Sequence, residues 1–400
     1  MKILVLGGGP SQLPFIEFCL RQGHTVNVLD INPRVCEDRI RHHNLSVIEL
    51  DISNEAAVLE YARLFLPNAV ISPSNDAGLV SATQVAENLK IPGPGYFATK
   101  NSRDKFRFRT ILQAAGINSP WFFHVKQDES LETIDQAIQN YPCVVKPVVG
   151  SGSKGVRLIT SRLDLFTYFQ NVRSNPNQDR FQIEEFIEGV EFSLEGIVKN
   201  GKLYVLAIFQ KLRSDYPNLV DVQVIFPPKI SLKEELEAAH LANRVVKALQ
   251  VKDAPIHLEF INSPTRGLVP VECAVRSAGF NLFNKMVPWC TGIDALDAQL
   301  NLILDNDLGK ISPIKQRAAM LAFPQPKRSG MIKRFNYLNP SVDELGDSSF
   351  VEIQIDKAIG ENIVPASNGA ERIGYIFVFA QTWEEVESIF NKIDFSIELE

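Results

Sequence analysis

Short apolar runs alternate with longer amphipathic stretches along the first hundred residues of the chain. The runs KILVLGG, TVNVLDINP, LSVIELD and NAVISPS have the length and composition of buried strands. The stretches LPFIEFCLRQG, EAAVLEYARLF and GLVSATQVAENL repeat apolar residues every three or four positions, which is typical of helices packed on one face. Strands and helices in this alternation predict a doubly wound parallel sheet over residues 1–97.

Beyond residue 97 the pattern becomes a mixture of helices and strands. One helix is predicted over residues 98–116, with Gly116 as its C-cap. The segments CVVKPVV, VRLIT, VEFSLEGIVKNG and KLYVLAIFQKL are strand-like, whereas LDLFTYFQNV and LKEELEAAHLANRVVKALQ are helical. Residues 310–400 combine both types, so the fold class is α/β followed by α+β. The apolar and aromatic segment 280–292 is expected to be hydrophobic core rather than a side-chain pocket for a substrate.

Composition narrows the function classes without identifying one. A hydrophobic content of 45% and a charged content of 22% are ordinary for a soluble globular protein. The net charge of −6 and the lack of a basic stripe argue against nucleic-acid binding. Five cysteines without CxxC spacing predict free thiols in a reducing cytoplasm. No apolar run approaches the roughly 18 residues that a membrane helix needs, and the N-terminal run is too short for a signal peptide.

The first candidate for binding chemistry is the glycine-rich segment CVVKPVVGSGSKGVRLI. Its Gly150-x-Gly152-x-x-Gly155 spacing matches a dinucleotide fingerprint, which requires a helix to follow the glycines. The residues after Gly155 are β-branched and predict a strand instead, so we expect a β-hairpin with a flexible loop. Such a loop presents backbone N–H groups to an anion, and Lys146 and Lys154 add positive charge. These features favour a nucleoside triphosphate, with an ordinary exposed turn as the alternative.

A second glycine cluster, LGGGPSQ, ends the first predicted strand. Ligands of open α/β sheets bind at this edge, and Asp30 follows the second strand at the place of a ribose-binding acid. The dinucleotide spacing fails at Gln12, however, where the pattern requires glycine or alanine. The sequence therefore gives only weak support to a dinucleotide at this turn.

The segment 255–276 contains two acidic residues within strand-like sequence. If its turn is centred near Thr265–Arg266, Glu259 lies directly opposite Glu272 on one face of a hairpin. Like charges in that arrangement are destabilising unless a cation intervenes, and Mg²⁺ prefers one or two carboxylates together with phosphate oxygens. Arg276 shares the face of Glu272 and is a candidate for contacting an anionic substrate. The alternative is a solvated sheet face, because a shift of one residue would separate the two carboxylates.

Taken together and in this order, these features resemble the ATP-grasp superfamily. Within it, the resemblance is to carboxylate–amine ligases related to bacterial dipeptide ligases and to the carbamoyl-phosphate-synthetase-like group. It covers most of the chain and is carried by LGGGPSQLPFIEFCLRQGHTVNVLDINP, DKFRFRTILQAAGI, VVKPVVGSGSKGV, EEFIEGVEFSLEG and HLEFINS…GLVPVECAVRSAG. Each motif alone is modest, but their order and spacing are highly specific.

The resemblance implies a set of ATP-binding residues. Those for the phosphates are Lys105, Lys146 and the loop Gly150, Ser151, Gly152, Ser153 and Gly155, which would close over them. Those for the adenine are Glu184, near the amino group, and the backbone of Glu185 and Ile187. Glu191 would bind the ribose, and Lys211 would reach the γ-phosphate.

The resemblance also implies a metal site and substrate contacts. Glu259 and Glu272 would hold one or two Mg²⁺ ions, with Mn²⁺ as an alternative, and Arg276 would steady the substrate carboxylate or acyl phosphate. Many members carry asparagine at the position of Ala274, so a second metal loses a usual ligand here. His257 is expected to be a packed or supporting histidine, with a metal ligand as the alternative. The N-terminal glycines would line the substrate pocket with Asn75 and Asp76, for which turn and helix-cap roles are the alternative.

The resemblance further implies an architecture. A Rossmann-like pre-ATP-grasp domain (1–97) precedes a linker helix and lid subdomain with the flap (98–190), a metal-binding subdomain (191–310) and a C-terminal α+β extension (311–400). The implied activity is an ATP- and Mg²⁺-dependent cytoplasmic ligase that joins a small-molecule carboxylate to an amine through an acyl phosphate. No nucleic-acid or membrane partner is expected, and a homodimer is one option. The competing interpretations are a bicarbonate-phosphorylating enzyme, a non-catalytic ATP-binding protein and an NAD-dependent oxidoreductase.

Overall fold

The N-terminal part of the protein is the predicted parallel sheet. The computed structural model describes residues 1–126, 128–172, 180–214, 218–338 and 349–400. The first elements are β1 (Lys2–Leu6), α1 (Leu13–Arg21), β2 (Thr25–Asp30), α2 (Arg34–Glu37), β3 (Leu45–Glu49), α3 (Glu55–Phe65), β4 (Ala69–Ile71) and α4 (Leu79–Leu89). The strands lie in the order β3-β2-β1-β4, all parallel. Because successive side chains of β1 point to opposite faces, it is buried on one side beneath α1 and on the other beneath α3 and α4.

The prediction of one helix over residues 98–116 is wrong, because the chain breaks there into two. The helices are α5 (Tyr96–Arg103) and α6 (Lys105–Ala114). Asp104 separates them with an extended backbone (φ −100°, ψ 108°), and its side chain accepts a hydrogen bond from the N–H of Arg107 as an N-cap. Gly116 has a φ of +63° just beyond α6, as its predicted capping role requires. The break places Lys105 at the start of a helix, next to the glycine loop.

A small antiparallel sheet carries the glycine loop. Its elements are β5 (Phe122–Lys126), α7 (Leu131–Ala137), β6 (Cys143–Pro147), β7 (Arg157–Ile159), α8 (Arg162–Val172) and β8 (Arg180–Glu185). The strand order is β5-β8-β6-β7. The glycine loop connects β6 to β7, which pair antiparallel. The predicted hairpin is therefore confirmed, and the helix that a dinucleotide fingerprint requires is not found after these glycines.

A large antiparallel sheet forms the centre of the remaining chain. Its first part comprises β9 (Val190–Lys199), β10 (Lys202–Arg213), β11 (Asp221–Phe226), α9 (Leu232–Leu249), β12 (Ala254–Ser263), β13 (Gly267–Ala274), a π-helical turn (Leu282–Met286), α10 (Val287–Thr291) and α11 (Ala295–Ile303). Its second part comprises β14 (Ala318–Ala322), β15 (Gly330–Leu338), β16 (Phe350–Ile355), β17 (Asn362–Ile363), a 3-10 turn (Gly369–Glu371), β18 (Gly374–Ala380), α12 (Trp383–Lys392) and β19 (Asp394–Leu399). The order β13-β12-β9-β10-β11-β14-β18-β16 joins strands from both sides of residue 310, and β17-β15-β19 form a smaller sheet.

The two faces of the large sheet differ in character at its β13-β12-β9 edge. One face is apolar and packs against α6 and α9 through residues such as Phe192, Leu258 and Phe260. The alternate positions carry polar side chains: Glu191, Ser193, Glu195, His257, Glu259 and Glu272. Because side chains alternate along a strand, one short stretch of sequence supplies both a core and a polar floor. This floor lies beneath the main cavity of the protein.

Two further sequence expectations concern larger segments. Residues 280–292 form the π-helical turn and α10, and five of their side chains are buried in one apolar cluster, as expected for core. The domain boundaries at 97, 190 and 310 stay predictions. Among the helices of the described residues, none is long and apolar enough to cross a membrane.

Candidate functional site

The glycine loop lies over the cavity and touches three parts of the chain. Backbone φ angles of +149° at Gly150 and +66° at Gly152 are ones that residues with side chains rarely adopt, so glycine is needed there. Lys105 Nζ donates to the carbonyl of Gly150 (2.7 Å), and the N–H of Gly369 donates to the carbonyl of Gly152 (2.9 Å). Ser153 Oγ lies 3.5 Å from the carbonyl oxygen of Leu219. The loop is therefore held as a flap between α6 and the 3-10 turn.

Lys146, at the end of β6, belongs to a buried charge cluster. Its Nζ lies 2.5 Å from Glu184 Oε1. The other carboxylate contacts come from Arg109, which donates to Oε2 (2.9 Å) and Oε1 (3.2 Å), and from Gln182 Nε2 (2.7 Å). Arg109 also donates to the carbonyl of Pro270 (2.5 Å), which ties α6 to β13. Glu184, predicted near an adenine amino group, here holds two cations at the cavity wall.

Burial and charge act in opposite directions on this cluster. Burial raises the pKa of Glu184, but the charges and hydrogen bonds of Arg109 and Lys146 outweigh it and hold that pKa at about 2. For Lys146, burial lowers the pKa to about 8, because the nearby Glu184 carboxylate offsets only part of the desolvation. The ammonium is thus charged near neutral pH but poorly solvated, so a phosphate would improve its surroundings.

Glu259 and Glu272 are direct partners across β12 and β13, as predicted. The reason differs from the one assumed. Next to the turn, Ser263 pairs with Gly267, so the turn is centred on Thr265 itself. The assumed centre lay half a residue later in the chain. Val271 is then left without a partner in a β-bulge, and beyond it the two glutamates are in register. β13 is an edge strand of the sheet, where such an irregularity is tolerated.

The carboxylate of Glu259 is surrounded by positive groups. Lys211 Nζ lies 2.5 Å from its Oε1, and His257 Nε2 lies 3.2 Å from the same oxygen. Burial raises the pKa of Glu259, but these neighbours hold it well below its ordinary value. His257 in turn bonds Glu195 through Nδ1 (2.6 Å), which fits the supporting role predicted for it rather than that of a metal ligand.

Lys211 connects the predicted ribose and metal residues. Its Nζ contacts Glu191 Oε1 (2.8 Å) and Asp221 Oδ2 (3.0 Å) in addition to Glu259. Burial lowers the pKa of Lys211, but the carboxylates of Asp221 and Glu259 raise it more, and the net shift is upward. Glu191 is also paired with Arg213. The structure thus places Lys211 on the sheet floor of the cavity, and its contact with a γ-phosphate stays a prediction.

Glu272 faces the second predicted phosphate lysine, and Arg276 faces the N-terminal sheet. Lys105 Nζ lies 3.5 Å from Glu272 Oε2. Arg276 binds Asp76 through two bonds, from Nε (2.7 Å) and Nη2 (2.8 Å). Burial raises the pKa of Asp76, but Arg276 outweighs it and lowers the net value. Asn75 and Asp76 both line the cavity, so the loop after β4 is part of this site.

The N-terminal glycine turn is closed by its own sheet. The N–H of Gly8 donates to Asp30 Oδ2 (2.7 Å), and Asp30 Oδ1 accepts from the N–H of Asn32 (2.8 Å). Gln12, where the dinucleotide spacing fails, is buried and donates to the carbonyl of Pro73 (2.8 Å). Asp30 therefore shapes a turn here rather than presenting a free carboxylate to a ribose.

The predicted adenine-binding segment lies where β8 ends, between two small apolar clusters. These consist of Val144, Leu158 and Leu219, and of Ile187, Ile261 and Val269. The backbone N–H of Glu185 donates to Trp121 (3.0 Å), and its carboxylate pairs with Arg266 (2.6 Å). The adenine contacts of the Glu185 and Ile187 backbone stay predictions. The cavity has a volume of about 640 Å³ and is lined by all the predicted site residues except Gly155.

The charged residues of this region that sequence reasoning missed include Arg109, Glu195, Asp221 and Arg372. Two of them carried a signal. Arg109 follows Lys105 by one helical turn, and Glu195 shares a strand face with Glu191. Asp221 and Arg372 carried no such signal in the sequence, because only the folding of distant segments brings them to the cavity.

The donor set suits a divalent cation held jointly with phosphate. Within the described ranges, no three or more His, Cys, Asp or Glu side chains are grouped so as to hold a metal by themselves. Two opposed carboxylates facing a cavity with three lysines are the arrangement in which Mg²⁺ binds through one or two protein ligands and a nucleotide. Glu259 and Glu272 therefore fit the predicted ion when ATP supplies the other oxygens.

Comparison with known proteins supports the same interpretation. The family model described as "ATP-grasp domain" matches residues 139–283. An uncharacterized protein of Sinorhizobium fredii is 23% identical over 371 residues, covering 90% of this chain and 75% of that protein. The L-arginine-specific L-amino acid ligase of Bacillus subtilis is 25% identical over 250 residues, 61% of this chain and 60% of the ligase. The chain thus spans less than two thirds of that ligase.

The similarity in fold extends over the whole chain. The crystal structure of an L-amino acid ligase from Bacillus licheniformis has a TM-score of 0.82 at 20% sequence identity, with 99% of this chain and 98% of that chain covered. The family match itself spans the flap, the paired glutamates and Arg276. Residues 139–283 therefore match the ATP-grasp domain family, and the whole chain shares its fold with an L-amino acid ligase.

Proposed function

We propose that the protein is an ATP- and Mg²⁺-dependent ligase that joins a carboxylate to an amine. One observation carries the proposal: Glu259 and Glu272 pair on the floor of a cavity that also contains Lys105 and Lys146 and is covered by the glycine flap. This arrangement provides for a triphosphate and for the charge that develops when its terminal phosphoryl group is transferred.

The proposed reaction has two steps. A carboxylate oxygen attacks the γ-phosphorus of ATP, the bond to the β-phosphate oxygen breaks, and ADP leaves. The amine nitrogen of the second substrate then attacks the acyl carbon, phosphate leaves and the nitrogen loses a proton. The phosphate is needed because an oxide ion is too poor a leaving group for an amine to displace directly.

The chain contributes mainly position and charge. Lys146 and Lys105 would hold the phosphates from two sides, and Arg276 would steady the carboxylate that receives the phosphoryl group. A bound Mg²⁺ supplies positive charge to the phosphate oxygens. The flap excludes water, which would otherwise hydrolyse the acyl phosphate. No nucleophilic side chain is required.

An amino acid is the proposed class for at least one substrate, since the compared relative and the compared structure are both amino-acid ligases by name. We expect the reaction to take place in the cytoplasm, where the five buried cysteines stay reduced. Homodimer formation stays a prediction.

The test is release of phosphate from ATP and Mg²⁺ across a matrix of amino-acid pairs, with the mass of each product determined. The expected result is ADP and phosphate in step with a condensed product. Dependence on bicarbonate instead would identify a bicarbonate-phosphorylating enzyme. Tight ATP binding without turnover over a broad panel of substrates would identify a non-catalytic ATP-binding protein.

Glu272→Ala is the matched variant for this test. Its side chain is 29% exposed and makes one long ion pair, so its removal should leave the fold intact and abolish ATP consumption. Thermal unfolding and circular dichroism check the fold. Normal turnover by this variant with any substrate would refute the metal assignment.

A further inference from the structure

The last part of the chain places an arginine in the cavity. The 3-10 turn Gly369–Glu371 is followed by Arg372, whose side chain lines the cavity and is 8% exposed. Its guanidinium carbon lies 3.6 Å from the ring centre of Phe323 and 4.5 Å from that of Phe280. The planes of the two rings make an angle of 73°. The guanidinium lies over both rings and keeps its N–H groups available for polar contacts.

This arginine has few polar partners for a buried cation. Of its five N–H groups, one donates a hydrogen bond within the described residues, from Nη2 to the carbonyl of Asp221 (3.0 Å). The Nε is buried and without a hydrogen-bond partner there. The Asp221 carboxylate is 3.9 Å away but lies closer to Lys211, at 3.0 Å. Burial lowers the pKa of Arg372, and Asp221 offsets this only in part.

An unsatisfied buried guanidinium is costly unless an anion completes its surroundings. A carboxylate does so with two parallel hydrogen bonds that match the guanidinium edge. The ATP phosphates already have Lys105 and Lys146, and the carboxylate to be phosphorylated must lie near the Glu259–Glu272 pair. An anionic group at Arg372 thus belongs to a different part of the bound substrates.

We propose that Arg372 binds the carboxylate of the amine substrate, which makes that substrate an amino acid rather than a simple amine. This inference rests on the proposed ligase function for the identity of the second substrate. Arg276 and Arg372 both line the cavity but are held by different partners, Arg276 by the Asp76 carboxylate and Arg372 by the carbonyl of Asp221 and the ring of Phe280. The two positions therefore suit the two ends of a condensed product.

The position of Arg372 also shelters a bound carboxylate. Three residues earlier, Gly369 donates its hydrogen bond to the flap at Gly152. The arginine and the flap contact thus belong to one short loop. A carboxylate at Arg372 would lie where the closed flap excludes water, which strengthens the ion pair.

The test is calorimetric binding of the twenty common amino acids and their α-carboxamides to the protein loaded with ADP and Mg²⁺. Wild-type protein, Arg372→Met, Arg372→Lys and the control Arg317→Met are compared. Arg317 lies outside the cavity, with its guanidinium carbon 4.6 Å from the ring centre of Trp289. Its replacement therefore removes an arginine–aromatic contact without changing the cavity. We expect Arg372→Met to weaken binding of an amino acid about 10- to 100-fold and binding of its amide hardly at all. Arg372→Lys should recover part of the loss, and Arg317→Met should bind like the wild type.

Four results would overturn the inference: no amino acid binds the wild type, acid and amide bind equally, Arg372→Met weakens both equally, or inorganic phosphate binds at Arg372 while no amino acid does. ADP affinity and thermal unfolding show whether each variant is folded. If Arg372→Met does not fold, the acid–amide comparison on wild type and Arg372→Lys decides. Carboxylate-dependent binding without any condensed product would keep this inference and refute the ligase proposal.

Discussion

Removing the carboxylate of Glu184 should destabilise the protein far more than removing this carboxylate and the Lys146 ammonium together. Glu184, Lys146 and Arg109 are 6%, 4% and 2% exposed, so water cannot replace a lost partner. Glu184→Gln leaves two buried cations without their anion. Lys146→Met removes a cation that burial already disfavours. The double variant Lys146→Met/Glu184→Gln keeps Arg109, its bond to the Pro270 carbonyl and the amide oxygen of the new glutamine.

The magnitudes follow from the two pKa values. The pKa of Glu184 falls from 4.5 to about 2 as Arg109 and Lys146 outweigh burial, and this shift favours the folded state by about 3 kcal/mol at neutral pH. The pKa of Lys146 falls from 10.5 to about 8, which opposes folding by about the same amount. The two contributions nearly cancel. Glu184→Gln should therefore cost about 3–5 kcal/mol, and the double variant should lie within about 1 kcal/mol of the wild type.

The pH dependence supplies a second measurement. Between pH 8 and pH 10.5 the folded protein binds fewer protons at Lys146 than the unfolded chain does, so this residue makes stability rise with pH in that window. Urea unfolding followed by circular dichroism, at about pH 7 and about pH 10, measures both effects. Lys146→Met should lose this rise. The reasoning is refuted if Glu184→Gln costs less than about 1 kcal/mol, or if wild type and Lys146→Met respond equally to pH.

Two other predictions concern contacts around the cavity. Arg276 lowers the pKa of Asp76 against the effect of burial. The ionised Asp76 carboxylate therefore stabilises the fold above pH 3.8, and this stabilisation is lost as the pH falls further. Asp76→Asn should lower the melting temperature at neutral pH and match the wild type in acid. A difference in melting temperature between Asp76→Asn and the wild type that persists in acid would contradict this. Asn368 caps the 3-10 turn by accepting from the N–H of Ala370 (3.0 Å), so Asn368→Ala should loosen the flap contact and raise the KM for ATP about 2- to 10-fold. Steady-state kinetics measures the KM, and an unchanged value would show that the 3-10 turn does not contribute to closure of the flap.

Local patterns predicted most of the elements because the forces that create them act over a few residues. The strands of the N-terminal sheet and the hairpin around Gly150–Gly155 follow from apolar runs and β-branched residues. The break at Asp104 was missed because an N-cap aspartate within a polar helical stretch resembles any other exposed residue. Its signal was present, since aspartate favours the cap position, but helical periodicity continues across it.

The residues of the candidate site also divide into those that local sequence patterns predicted and those that they missed. Glu259 and Glu272 lie in strands recognised from their pattern, but their direct opposition was predicted from an assumed turn and depends on the bulge at Val271. Asp221 and Arg372 reach the cavity because β11 and β18 lie on either side of β14 in the sheet, a neighbourhood of strands far apart in sequence. Periodicity carries no information on such pairings, so these two residues needed coordinates.

The unpaired Val271 makes the length of the β12–β13 hairpin matter more than the identity of its turn residues. Deleting Val271 would let the ladder continue without a bulge and would leave Glu272 directly opposite Glu259. Inserting one residue between the turn and Glu272 would instead bring Glu272 opposite Leu258, whose side chain lies in the apolar layer beneath α9. This strand can therefore lose its unpaired residue and keep the two carboxylates together, but it cannot gain one.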